Sequence, residues 1–184
     1  MRIHRIGMTV VCMTVFMSAG FAQSQVVRGK AILHDAFGQE VGTVLFTQSP
    51  AEQDFPTTTV NIVAHVVGIN PGQHGIHIHE IGSCIAPAFT SAGGHFDPGP
   101  FGNSAPDPNH PFHMGDLPNL DVNAGGVGHL EATTSRITLT PGPLSIFDSN
   151  GSAVIVHLNR DQGTTGVAGG SGGTRIACGI IELE

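Results

Sequence analysis

The chain reads as an all-β domain, a sandwich or flattened barrel of short strands. Three observations predict this class. Short runs rich in Val, Ile and Thr recur along the chain, each bounded by Gly, Pro, Asn or Asp. No stretch sustains a helical period of apolar residues. The 26 glycines and 12 prolines punctuate 184 residues too often for long helices.

The strands follow in order. Val26–Leu33 and Val41–Thr47 flank a turn at Asp35–Gly38, which reads as a hairpin. Thr58–Val66 is the next strand and stops before Asn70-Pro71-Gly72, a turn sequence. Leu130–Leu139 follows the Asn123–Gly128 turn, and Pro141–Pro143 ends it. Ala153–Leu158 starts after Asp148–Gly151, and Arg175–Leu183 closes the chain. Two segments are too long for tight turns. Residues 82–123 are rich in Gly, Pro, Asn and His and show no strand pattern, and residues 159–174 are mostly small. Long ordered loops are usually functional.

The N-terminus has the form of an export signal. Arg2 and Arg5 precede an apolar run from Ile6 to Phe16, and Gly20-Phe21-Ala22 offers small residues for cleavage. The run is short for a membrane span. We therefore expect a signal peptide over residues 1–22 and one domain over 23–184, exported to the periplasm or outside the cell. Removing Arg2 and Arg5 leaves five basic and fourteen acidic side chains, a charge of −9 with His neutral. Such a chain is poorly suited to nucleic acid or to an anionic membrane surface. Cys84 and Cys178 remain after cleavage. In an oxidising compartment they read most simply as one disulfide, the alternative being two metal thiolates.

The histidines carry the chemistry. Eight of the eleven fall in a few glycine-rich blocks or beside a strand: His74, His77 and His79 in PGQHGIHIHEIG, His95 in SAGGHFDPG, His110 and His113 in NHPFHMGDLPNL, His129, and His157 in AVIVHLNRD. Residues i and i+2 of a strand share a face, so His77 and His79 project together while Ile76 and Ile78 pack the other way. Imidazoles suit copper and zinc, and a carboxylate such as Asp116 among them suits zinc. The pattern predicts a metal site assembled from remote segments.

GIHIHEIGSC, SAGGHFDP, HMGDLPNL, AVIVH and GGTRIACGII occur in that order. With these blocks the chain resembles the Cu/Zn superoxide dismutases of the bacterial exported type, over roughly residues 26–181. The resemblance implies an eight-stranded Greek-key β-barrel that converts superoxide to dioxygen and hydrogen peroxide. It implies copper on His77, His79, His95 and His157, with His95 bridging to zinc, and zinc also on His113 and Asp116. It matches Asp161 to a carboxylate that hydrogen-bonds ligand histidines of both metals, and Arg175 to the arginine beside copper. It also implies a proton relay through His95 and a Cys84–Cys178 disulfide. Members occur as dimers and as monomers, so a homodimer stays open.

Two features depart from that pattern. The zinc site of the family usually has a third histidine where this chain has Asn103. Either His110 supplies the imidazole from a rearranged loop, or zinc is weak or absent and the protein is a copper-only dismutase. Between Asp161 and Arg175 there is no charged residue. We therefore expect Arg175 to act at short range, with a rate below the diffusion ceiling and a weak salt dependence. A non-catalytic copper-binding or buffering protein is a further reading, opposed by Arg175 and the full copper set. A zinc hydrolase would need an open zinc position and a general base, and no nucleophile motif is present. His74 is expected to serve structure, and Asn119 and Asp121 to organise the loop after the zinc block.

Overall fold

A computed structural model describes residues 25–50, 58–99, 113–163 and 172–184. Nine strands form one antiparallel sheet: β1 (Val27–Asp35), β2 (Glu40–Gln48), β3 (Val60–Val67), β4 (Gly72–His74), β5 (Ile76–His79), β6 (Leu120–Val122), β7 (Val127–Thr134), β8 (Ala153–His157) and β9 (Arg175–Leu183). Their order is β4-β6-β7-β3-β2-β1-β9-β8-β5. The two edge strands, β4 and β5, are separated only by Gly75. A single stretch of chain therefore joins both edges and closes the sheet into a barrel, which removes the exposed edges that invite aggregation. Counted as one, β4 and β5 make the expected eight strands.

Gly75 is the corner. Its N–H donates to the Asn159 carbonyl and its own carbonyl accepts from the His157 N–H, each at 2.8 Å. A side chain there would press on the His77 ring at 3.1 Å. The corner thus needs glycine because a metal-site candidate packs against it.

Alternation decides which side chains go inward. Along β3 the residues Val60, Ile62, Ala64 and Val66 are buried, and Asn61, His65 and Val67 are exposed. Phe46, Leu33, Ile62, Ile76, Ile78 and Leu120 fill the barrel with almost no exposure. Burying side chains of this size stabilises by roughly 1.5–3 kcal/mol each. A smaller cluster of Phe89, Ala92, Ala153, Ile155 and Cys178 lies outside the barrel, with Cys84 packed on it. There the Cys84–Cys178 disulfide joins the long loop to β9 across 94 positions of sequence. Closing so long a loop restricts the unfolded chain by about 4–5 kcal/mol in the chain-entropy model.

The structure corrects two sequence expectations. The strand expected at Leu130–Leu139 is β7, Val127–Thr134, so His129 lies inside a strand. Ile137 and Leu139 are still buried, but as core side chains beyond the strand end, which is why the apolar run looked continuous. The long segment after Gly82 contains β6, whose three residues are too few to show alternation.

Candidate metal centre

β5 places the first two imidazoles. It pairs with β8 through Ile76↔Val156, His77↔Ile155, Ile78↔Val154 and His79↔Ala153. Ile76 and Ile78 enter the barrel core, so His77 and His79 face the opposite side, and both are fully buried beneath the loops. His157 ends β8, where the ladder with β9 shifts register. His95 arrives from the long loop, bridged to His79. The ligand atoms of His77, His79, His95 and His157 lie within 4.8 Å of one another, and those of His95, His113 and Asp116 form a second such group. His95 belongs to both. Its ring stacks on His77 with centroids 4.0 Å apart.

In His77, His79 and His157 one ring nitrogen is tied down. Asp161 Oδ2 lies 2.6 Å from His77 Nε2. His79 Nδ1 lies 3.1 Å from the Gly93 carbonyl, and His157 Nδ1 lies 2.9 Å from the Gly173 carbonyl. These bonds fix the tautomer, leaving the other nitrogen as a lone-pair donor. That other nitrogen, His77 Nδ1, His79 Nε2 or His157 Nε2, is buried and makes no hydrogen bond with the described residues. A buried polar atom left so costs free energy unless something binds it. Three such atoms in one place, on imidazoles, fit a cation of the copper kind.

Electrostatics agree. Burial pushes His79 well below the ordinary histidine value, and the neighbouring His95 and Arg175 charges push the same way. Burial and then the His77 charge lower His157 to about 3. Both rings are therefore neutral and ready to ligate at neutral pH. Burial works to raise Asp116, but hydrogen bonds from His113 and His95 outweigh it and hold the carboxyl well below the usual carboxylate range. The Asp116 carboxylate in turn raises His113.

The loops are held by main-chain carbonyls and side chains that no motif reveals. Arg175 donates from Nη1 to the Phe89 carbonyl and from Nη2 to the Gly93 carbonyl, each at 2.6 Å. Gly93 O thus serves both Arg175 and His79. Glu80 Oε1 accepts from the Gly94 N–H at 2.8 Å, beside it. Asn119 holds Asp161 from both sides: its Nδ2 donates to the Asp161 carbonyl at 2.9 Å, and its Oδ1 accepts from the Asp161 N–H at 2.7 Å. The Arg136 guanidinium donates to the Asp116 carbonyl. Asn119, expected to organise the loop after the zinc block, instead holds Asp161 of the loop after β8; Gly93 and Arg136, which meet main-chain groups, leave no sequence pattern. His74 serves structure as expected, with ring nitrogens 2.8 Å from the His157 and Asn70 carbonyls.

The structure thus brings together His77, His79, His95, His157, His113, Asp116, Asp161 and Arg175. Asp161 meets only one ligand histidine, His77, among the described residues. Its other oxygen accepts from the Gly163 N–H at 2.6 Å. Asn103 and His110 lie outside the described residues.

The family model for copper/zinc superoxide dismutase matches residues 40–181. The chain belongs to the copper/zinc superoxide dismutase family. A superoxide dismutase [Cu-Zn] of Deinococcus radiodurans is 37% identical over 163 residues, covering 83% of each chain. One from Brucella abortus is 32% identical over 179 residues, covering 92% of this chain and 95% of that one. Among solved structures, a SOD-like protein from Bacillus subtilis superposes with TM-score 0.69 at 35% identity, covering 82% of this chain and 96% of that one. The Brucella abortus Cu/Zn superoxide dismutase gives TM-score 0.63 at 27% identity, covering 84% and 99%. The chain is a superoxide dismutase, an oxidoreductase of a family whose metals are copper and zinc, and its two histidine groups could hold such ions.

Proposed function

We propose that this superoxide dismutase holds copper on His77, His79, His95 and His157, and zinc on His95, His113, Asp116 and His110. The observation that carries the copper assignment is the set of buried nitrogens of His77, His79 and His157 without hydrogen bonds among the described residues, each opposite a nitrogen already bonded; the zinc assignment rests on the grouping of His95, His113 and Asp116. Copper would supply one-electron redox chemistry, so that two superoxide ions and two protons give dioxygen and hydrogen peroxide. The chain's part is to admit, orient and protonate. Burial lowers Arg175 from its usual value, but a guanidinium stays charged. Its two main-chain bonds fix the plane of that charge near His79 and His157, where it attracts a small anion. His95, placed between the two groups, is positioned to hold or release a proton. Asp161 fixes the His77 ring and is itself fixed by Asn119.

A copper-only variant is favoured by one observation. The second oxygen of Asp161 accepts from the Gly163 N–H and, among the described residues, meets no zinc ligand, in keeping with Asn103 at the usual histidine position. Replacing His110 with Ala separates the two readings: loss of zinc affinity supports the dinuclear site, and unchanged affinity removes His110 from it. We also propose export, with cleavage after Ala22. A mature mass beginning at Gln23 in the periplasmic or secreted fraction supports this, and an intact N-terminus contradicts it. Activity itself is tested by following superoxide decay with the metal-loaded protein. Fast decay that His157→Ala removes supports catalysis, and decay no faster than that of free buffer leaves a copper-binding module.

A further inference from the structure

Outside the centre described above, histidines and carboxylates also line up across neighbouring strands. His65 of β3 is the direct cross-strand partner of His129 of β7. On its other side His129 pairs with Asp121 of β6. The row His65, His129, Asp121 thus crosses three adjacent strands. All three residues are exposed, while their strand neighbours Ala64, Val66, Leu130, Leu120 and Val122 are buried. Alternation therefore points the three side chains outward from one face. Directly opposite Cβ atoms in such a ladder are about 4.5–5.5 Å apart, within reach of two imidazoles closing on one ion.

Carboxylates flank the pair. Glu131, two residues on from His129, brings Oε1 to 3.4 Å from His129 Nε2. Asp121 Oδ1 accepts from Gln73 Nε2 at 2.9 Å, which holds that carboxylate in the row. The backbone beneath is closely packed. A Cβ on Gly128, beside His129 in β7, would come within 2.9 Å of the Val66 and Val122 side chains. The strands approach as closely as glycine allows, so the spacing of the two imidazoles is set by the sheet.

We propose that His65 and His129, completed by Glu131 or Asp121, form a surface site for a divalent transition cation, Cu(II) or Zn(II). Two imidazoles and a carboxylate are the donor set these ions prefer. Exposure and the small number of protein ligands make the site weaker than the buried centre and open to exchange. None of its residues belongs to the catalytic set, so it adds a third ion per chain without altering the reaction.

The test uses protein already loaded with copper and zinc and dialysed. Titration calorimetry with Cu(II), and separately with Zn(II), should show one further saturable ion per chain. Loss of an outer partner of a metal ligand costs about tenfold in affinity, so His65→Gln and His129→Gln should each weaken the added ion by at least that much. Glu131→Gln and Asp121→Asn tell which carboxylate takes part. Dismutase activity and melting temperature should stay at the starting values, and His34→Gln, at an exposed histidine of β1, should leave the titration unchanged. No added saturable ion, or an adventitious ion only, retained equally in both histidine variants, would overturn the proposal.

Discussion

The two halves of the metal centre are built by different means. The proposed copper half rests on the sheet: His77 and His79 sit on β5, His157 ends β8, and a continuous ladder joins those strands. The proposed zinc half rests on loops. His95, His113 and Asp116 come from the long segment between β5 and β6 and are held by a few bonds, such as Gly115 N–H to the Phe96 carbonyl at 2.8 Å. His77 and His79 are fully buried, whereas the His113 side chain keeps 21% of its exposure. A ladder positions ligands whether or not a metal is bound. A loop gains order from the metal itself. The copper half should therefore be preformed, and the zinc half should depend on its ion.

The largest effect comes from breaking the sheet-borne half. His79→Ala should abolish copper retention and reduce superoxide decay to background, while Asp116→Ala should lose zinc and keep copper, both read by elemental analysis. Next is the charge that serves the copper side. Arg175→Ala should slow superoxide decay on the order of tenfold with copper content unchanged, since focusing charge raises association by at least that factor. Arg175→Lys should recover little, because a single ammonium cannot replace the two bonds to Phe89 and Gly93. Asp161→Asn should weaken copper by roughly 10–100-fold, as loss of a partner behind a ligand does, in a chelator competition.

The smallest effect sharpens the comparison through pH. His157 is lowered to about 3 in the folded protein, whereas in the unfolded chain an ordinary histidine titrates near 6.5. Below about 6.5 the unfolded state takes up a proton that the folded state refuses, so the unfolded state gains. The metal-free protein should lose stability as pH falls from there towards 3, seen as a falling denaturation midpoint. A midpoint flat across that window would mean that the rings are not held neutral.

Much of this was legible in the sequence because it is periodic or local. His77 and His79 alternate with isoleucines, and that alone sets their common face. The paired strands follow from Val, Ile and Thr between turn residues. What escaped reading depends on contacts between distant segments. β6 is three residues long, and its partners β4 and β7 define it. Gly93 acts through a carbonyl, which any residue carries, and Arg136 reaches Asp116 from a turn with no motif. The resemblance suggested that Asp161 bonds ligand histidines of both metals. The structure gives its second oxygen to Gly163, a partner set by loop conformation.

The most direct test of a preformed copper half beside a metal-dependent zinc half is metal content per chain. The mature protein would be loaded with both metals, dialysed, and then exposed to increasing chelator. The account predicts one copper and one zinc at the start, with zinc leaving first and copper retained. Zinc held more firmly than copper, or copper lost on dialysis, would contradict it.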